Sequence, residues 1–241
     1  MAARASQVLD TTELLEAILL KLDIRTVILS AQLVNRQWHD LITKSPAIQQ
    51  AIFFKPVEAT NGAPLRNPLL TELFPPFFGG ENEMRFAIDA FEELAMARQE
   101  RLAAFRREGA SWRRMLVQQP PVRELGMWET VSRMGGDGHT FRRERYPEGL
   151  RMGELYDLVA VIRYRFCVFW SPLSSGALHS IVSWSRPLSP QQTEELDRLA
   201  DNTEAVLRRS RIVSCVIGRR ESKESVDFRR KFSFYEREEP W

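Results

Sequence analysis

The sequence has little cysteine and little histidine: Cys167 and Cys215, with His39, His139 and His179, in 241 residues. The two cysteines stand far apart in apolar, strand-like surroundings, which suits buried thiols in a reducing compartment and disfavours a disulfide. Without paired ligands at metal-binding spacing, no metal site is expected, and no cofactor is implied. Long apolar runs are missing too. Nothing approaches the run of about 18 residues that would cross a bilayer. The N-terminus, MAARASQVLD, lacks the apolar centre of a secretory signal, so a cytoplasmic or nuclear protein is expected. Nor is there an excess of one charge. A formal net charge of +2, from 34 Lys and Arg against 32 Asp and Glu, does not by itself argue for nucleic acid. There is no internal repeat of solenoid or propeller period and no Gly-x-Ser-x-Gly elbow.

What is present is an ordinary globular composition, 44% hydrophobic and 27% charged, in a chain long enough for one large or two small domains. Its most specific stretch runs from Thr12 to Phe54. Leu14, Leu15, Ile18, Leu19 and Leu22 recur at helical spacing, predicting a helix that begins near Thr12 with that hydroxyl as N-cap. Ile28, Leu29 and Leu33 form a second stripe; Val34, Trp38, Leu41 and Ile42 form a third. Three short helices must pack on one another, and these carry more apolar side chains than such a unit can hide. Surplus apolar surface implies a partner.

The order of these residues resembles the F-box. Glu13, Leu14, Leu15 and Ile18 occupy the entry positions of that pattern, and Val34, Arg36 and Trp38 the late Val-Cys-Arg-x-Trp positions. The chain departs from it twice. Thr11 or Thr12 stands where the pattern has proline, and Asn35 where it has cysteine; asparagine there would serve as a turn or cap residue. The resemblance implies an adaptor or substrate-receptor subunit of a Skp-cullin-F-box ubiquitin ligase, which performs no chemistry itself. In that reading Leu14, Leu15, Ile18, Leu22, Leu33 and Val34 lie against the Skp-family adaptor, and through it the cullin scaffold, while Trp38 and Ile42 fix the helices. Three weaker segments, NPLLTELFPPFF, SWRRMLVQQPPVRELGMW and LRMGELYDLV, resemble the body of F-box proteins from filamentous fungi. They point to no particular protein substrate.

Proline and glycine around Asn61-Gly62 place a linker at about 57–68, dividing a segment 1–56 from a second domain, 69–241. Within the second part, Pro75-Pro76 forbids a continuous helix through the apolar NPLLTELFPPFF. Helices are predicted over 83–107, from Ser111 to Leu116, from Leu150, and after the N-cap Ser189. The last carries Leu196, Leu199, Val206 and Leu207 on its inner face. The glycine-rich stretch Met134–Gly149 reads as a surface loop. Strands are predicted at RYRFCVFW, LHSIVSW, IVSCVIG and VDFRRKFSFYE. The expected class is therefore α+β: an N-terminal three-helix F-box followed by a mixed α/β domain. Two other function classes fit less well. Glu154, Asp157, Glu194 and Glu195 are carboxylates that exposed helix faces ordinarily carry, so catalysis is disfavoured. Interleaved basic and aromatic residues near the C-terminus would suit nucleic acid, but neighbouring acidic residues dilute the charge. A docking module working outside a ligase also fits the N-terminal pattern.

Overall fold

A computed structural model describes residues 11–58, 62–79, 99–105, 107–133, 136–160, 165–170 and 188–212. Capping side chains cut the N-terminal stretch into short helices: α1 (Thr12–Leu19), α2 (Ile24–Leu29), a 3-10 turn (Ala31–Leu33), α3 (Arg36–Lys44) and α4 (Pro46–Ala51). Asp23 accepts from the Thr26 amide at 2.8 Å, Asn35 from the Trp38 amide at 2.9 Å and Ser45 from the Ile48 amide at 3.1 Å. Each satisfies a donor that an N-terminal turn otherwise leaves open. Asn35 thus acts as the cap its chemistry suggests. The first cap position falls on Thr11, not Thr12, which is already helical. The stretch also contains one α-helix beyond the three expected stripes. Ser45-Pro46 ends α3 and restarts the chain, because serine caps the next turn while proline pre-sets its backbone angle.

After α4 the backbone reverses through Phe53, whose φ of 62° lies in the left-handed region. There the Phe54 amide donates to Gln49 O at 2.8 Å. The reversal presents Phe53 O to the Leu116 amide at 2.8 Å, and the Gln119 side chain donates to Gln50 O at 2.8 Å and Lys55 O at 3.2 Å. These bonds sew the helices to the segment 115–119. That segment carries β2 (Gln118–Gln119), paired antiparallel with β1 (Leu65–Arg66).

The proline-rich apolar run forms two helices, α5 (Pro68–Leu73) and α6 (Pro75–Phe78), separated at Phe74 as the prolines require. Leu70, Phe74 and Phe77 are wholly buried. Asn67 is buried as well, capping α5 through the Leu70 amide at 3.2 Å and donating to Leu116 O at 3.1 Å. Of the helix expected over 83–107, α7 (Gln99–Phe105) is described and residues 80–98 lie outside the described residues. The expected helix at Ser111 is only a 3-10 turn (Ser111–Arg114) with Ala110 at its cap. It stops there because Met115, Leu116 and Val117 are drawn out into the core.

The second part is built on a sheet of four strands in the order β4-β3-β6-β5: β3 (Glu124–Arg133), β4 (Gly136–Arg145), β5 (Arg165–Trp170) and β6 (Ala205–Ile212). β3 is antiparallel to β4 and parallel to β6, and β5 is antiparallel to β6. Two expectations are corrected. Most of the predicted loop Met134–Gly149 is the edge strand β4, held by cross-strand ion pairs, Arg145–Glu124 at 2.9 Å and Arg142–Glu129 at 3.5 Å, and by the aromatic pair of Phe141 opposite Trp128. The helix after Ser189, α9 (Pro190–Asp201), has the expected capping box, but Val206 and Leu207 belong to β6. The helix ends at Asn202, and Ala205, Val206 and Leu207 then bury in turn on alternate faces of the sheet. Within LRMGELYDLVAVI, α8 (Met152–Ala160) forms as predicted, and so does the strand of RYRFCVFW, though both faces of β5 are covered. Of IVSCVIG only Ile212 is described; LHSIVSW and VDFRRKFSFYE lie outside the described residues.

The two faces of the sheet have different covers. Leu125, Met127, Phe166, Val168, Trp170, Ala205 and Leu207 join one core that continues through Leu155, Met115, Phe74 and Leu70 to Ile48 and Leu15 of the N-terminal helices. Trp128, Phe169 and Val206 meet Leu196, Leu199 and Ala200 of α9 on the other. Gly126 lets α9 come close: a Cβ there would stand 2.9 Å from the Leu199 side chain. The chain is thus α+β, with its largest core shared between the N-terminal helices and the sheet.

Asn67 tests that junction. Asn67→Ala removes a cap and strands a buried carbonyl, so unfolding by urea should show a loss of about 2–4 kcal/mol.

Candidate functional site

Among the described residues, large apolar side chains that remain exposed are concentrated in the N-terminal segment. They are Leu14, Ile18, Leu20, Leu22, Leu29, Leu33 and Val34 on the N-terminal helices, with Leu65 and Leu73 beyond them. Helical geometry explains why the first group splits between inside and outside. On α1, Leu15 and Leu19 point inward and are 0% and 1% exposed, whereas Leu14 and Ile18, also one turn apart, are 48% and 38% exposed. On α2, Val27 and Ile28 are buried and Leu29 is 60% exposed; Leu33 and Val34 follow at 77% and 57%. α2 ends at Leu29, and the 3-10 turn that follows buries Ala31 but leaves Leu33 and Val34 exposed.

Specific bonds hold the surface in place. Ser45 donates to the Glu16 carboxylate of α1 while it caps α4, and Gln49 donates to Ile42 O at 2.7 Å. Arg25 of α2 pairs with Glu72 of α5 at 2.7 Å. Asp40 is paired with Lys44 at 3.2 Å, and that partner holds its carboxyl below the usual range. Trp38 is partly buried and packs against the main core.

The predicted adaptor-binding residues therefore divide. Leu14, Ile18, Leu22, Leu33 and Val34 stand on the exposed surface. Leu15 does not: it is wholly buried, so its assignment to a binding face is corrected to a core position. Ile42, 3% exposed, also belongs to the core, in keeping with a role in fixing the helices. Leu20 and Leu29 are exposed and absent from the predicted set. The spacing Arg25 to Leu29, one turn along an exposed helical side, was the available signal for Leu29.

Other titratable groups are tied into packing. On the α9 face of the sheet the Trp128 indole donates to His139 Nδ1 at 3.3 Å, and Thr130 Oγ1 lies 3.2 Å from the same nitrogen. Burial lowers the His139 pKa, disfavouring the protonated ring. The Arg208 guanidinium stacks 4.4 Å from the Trp128 ring centre, and burial pushes the Cys167 thiol up to about 12. On the other face Arg209, pushed down to about 10 by burial, pairs with Glu129 and donates to Leu158 O at 2.6 Å. Of the carboxylates considered for chemistry, Asp157 pairs with Arg113, Glu154 accepts from the Arg151 amide at 2.8 Å, and Glu194 pairs with Arg198 at 2.6 Å. His179 lies outside the described residues. No group of three or more metal-ligating side chains occurs among the described residues, and no helix among them is long and apolar enough to cross a membrane.

Comparison with protein-family models, with curated proteins and with solved structures finds no match to this chain.

Two outcomes follow from the placement of these residues. Leu15→Asp should unfold the protein, since an unpaired buried charge costs about 3 kcal/mol or more, whereas Ile18→Asp should leave the melting temperature nearly unchanged. Because the folded His139 pKa lies below its unfolded value, its contribution is complete above the ordinary imidazole range and is lost as pH falls through it. The wild type should therefore lose more thermal stability between pH 7.5 and pH 5.5 than His139→Gln, compared by calorimetry.

Proposed function

We propose that the N-terminal helices are an F-box-type docking module that binds a Skp-family adaptor, and that the chain serves as a substrate-receptor subunit of a Skp-cullin-F-box ubiquitin ligase. The observation that carries this reading is the exposure of Leu14, Ile18, Leu22, Leu33 and Val34 in the N-terminal segment, of which Leu14, Ile18 and Val34 stand at positions where the sequence resembles that module. Apolar anchors presented in this way suit association between helical surfaces, in which a few central side chains supply most of the affinity. Docking would cover surface that otherwise stays in water at a cost.

In this reading the sheet-containing part holds a protein target, and ubiquitin transfer is carried out by other subunits of the assembly. The residues tied into ion pairs and caps above act as structure. The shared core joins the target-holding part to the docking helices.

The test is co-purification of the full chain with a purified Skp-family adaptor, beside the double variant Ile18→Asp with Leu33→Asp. Both positions are exposed, so the variant should fold with the wild-type circular dichroism spectrum and melting temperature. Its adaptor affinity should fall about 1,000-fold, as two anchors at roughly 2 kcal/mol each would give. Wild-type affinity in the double variant, or no binding by folded wild type, would overturn the proposal.

A further inference from the structure

We infer that Arg208 on β6 anchors an oxyanion site on the α9 face of the sheet, taking a carboxylate or phosphate group on the edge of its guanidinium. The inference is independent of the adaptor reading and concerns the sheet, far from the docking helices in the sequence.

The starting point is an uncompensated charge. Five arginines among the described residues are half-buried: Arg66, Arg113, Arg151, Arg208 and Arg209. Four of them meet an acceptor. Arg66 donates to Phe78 O at 3.3 Å, Arg113 pairs with Asp157, Arg151 donates to Phe54 O at 3.4 Å and to Arg114 O, and Arg209 pairs with Glu129 and donates to Leu158 O at 2.6 Å. Arg208 meets no acceptor among the described residues, and its buried Nε has no hydrogen-bond partner. A charge withdrawn from water is costly unless an opposite charge or an acceptor meets it.

The residues beside Arg208 on the sheet do not supply that acceptor. Cys167 stands opposite it on β5, but burial pushes this thiol up to about 12, so it is uncharged at neutral pH. Asp137 acts on Arg208 through space without bonding to it. Trp128, opposite on β3, holds the guanidinium 4.4 Å from its ring centre, an attraction between cation and ring that uses none of the N–H donors. Those donors remain for a ligand. The edge of a guanidinium presents two N–H groups side by side, at the spacing of two carboxylate or two phosphate oxygens. Trp128 is also a fixed base, wholly buried under Leu196 and Leu199 of α9 and bonded through its indole to His139, so Arg208 loses little freedom when an anion joins it. A pair formed beside this apolar packing is screened less than one in open water.

The experiment titrates the full chain with inorganic phosphate and, separately, with acetate, at an ionic strength held constant with chloride. It follows the melting temperature and the Nε–H resonance of Arg208 by nuclear magnetic resonance. Both should change and then saturate; saturation by phosphate, by acetate or by both supports the site and tells which group it prefers. In Arg208→Gln the midpoint of the stabilisation should move about tenfold or more to higher anion concentration, as loss of charge-assisted hydrogen bonds gives. Arg198→Gln, which removes an exposed arginine already paired with Glu194, should leave the midpoint unchanged. Should Arg208→Gln fail to fold, the resonance of the wild-type chain decides alone. No saturable change with either anion, or an unmoved midpoint in folded Arg208→Gln, would overturn the inference.

Discussion

The seam between the N-terminal helices and the rest of the chain is the contact on which the architecture depends. Phe53, in a left-handed conformation that a β-carbon makes costly, turns its carbonyl towards the Leu116 amide, and Gln119 bridges two carbonyls on either side of that turn. Around these bonds Leu15, Ile48, Phe74, Met115 and Leu125 share a single apolar core. Short helices bury too little to stand alone, and here they complete their burial against the body. The exposed leucines are thereby presented from a fixed base.

The sheet shows how polar residues can build order where an apolar pattern is absent. β4 carries few apolar side chains, yet it pairs with β3 through all of its described length because its arginines meet glutamates across the strand and Phe141 stacks by Trp128. Exposed arginines also make it a poor template for pairing with other chains. Deeper in, Glu129 accepts Arg209, whose guanidinium also reaches the last turn of α8. A charge at the open end of a core is tolerated when it meets both a counter-charge and a carbonyl.

Several elements were legible because local chemistry is sufficient for them. Asn35 and Ser189-Pro190 announce helix starts whatever surrounds them, and the apolar runs of α1, α8 and β5 are strongly periodic. The misreadings have a common cause. Val206 and Leu207 continue a helical spacing from α9, and only their partners on β3 and β5 make them strand residues. The glycines near 136–138 suggest a loop until ten residues of β3 lie alongside. At the candidate surface, spacing grouped Leu14, Leu15 and Ile18 together; the direction of the core separated Leu15 from the other two.

By itself the sequence determined the caps, the helical stripes, the surplus of apolar residues in the first fifty or so positions and their resemblance to a docking module, since all of these depend on neighbours a few residues apart. Tertiary structure alone decided which leucines face water, the pairing of β3 with β4 and β6, and the link from Arg25 to Glu72. Each of those depends on contacts between residues far apart in the chain. Burial is a property of the assembled core, and a stripe of leucines carries no label for its inner side.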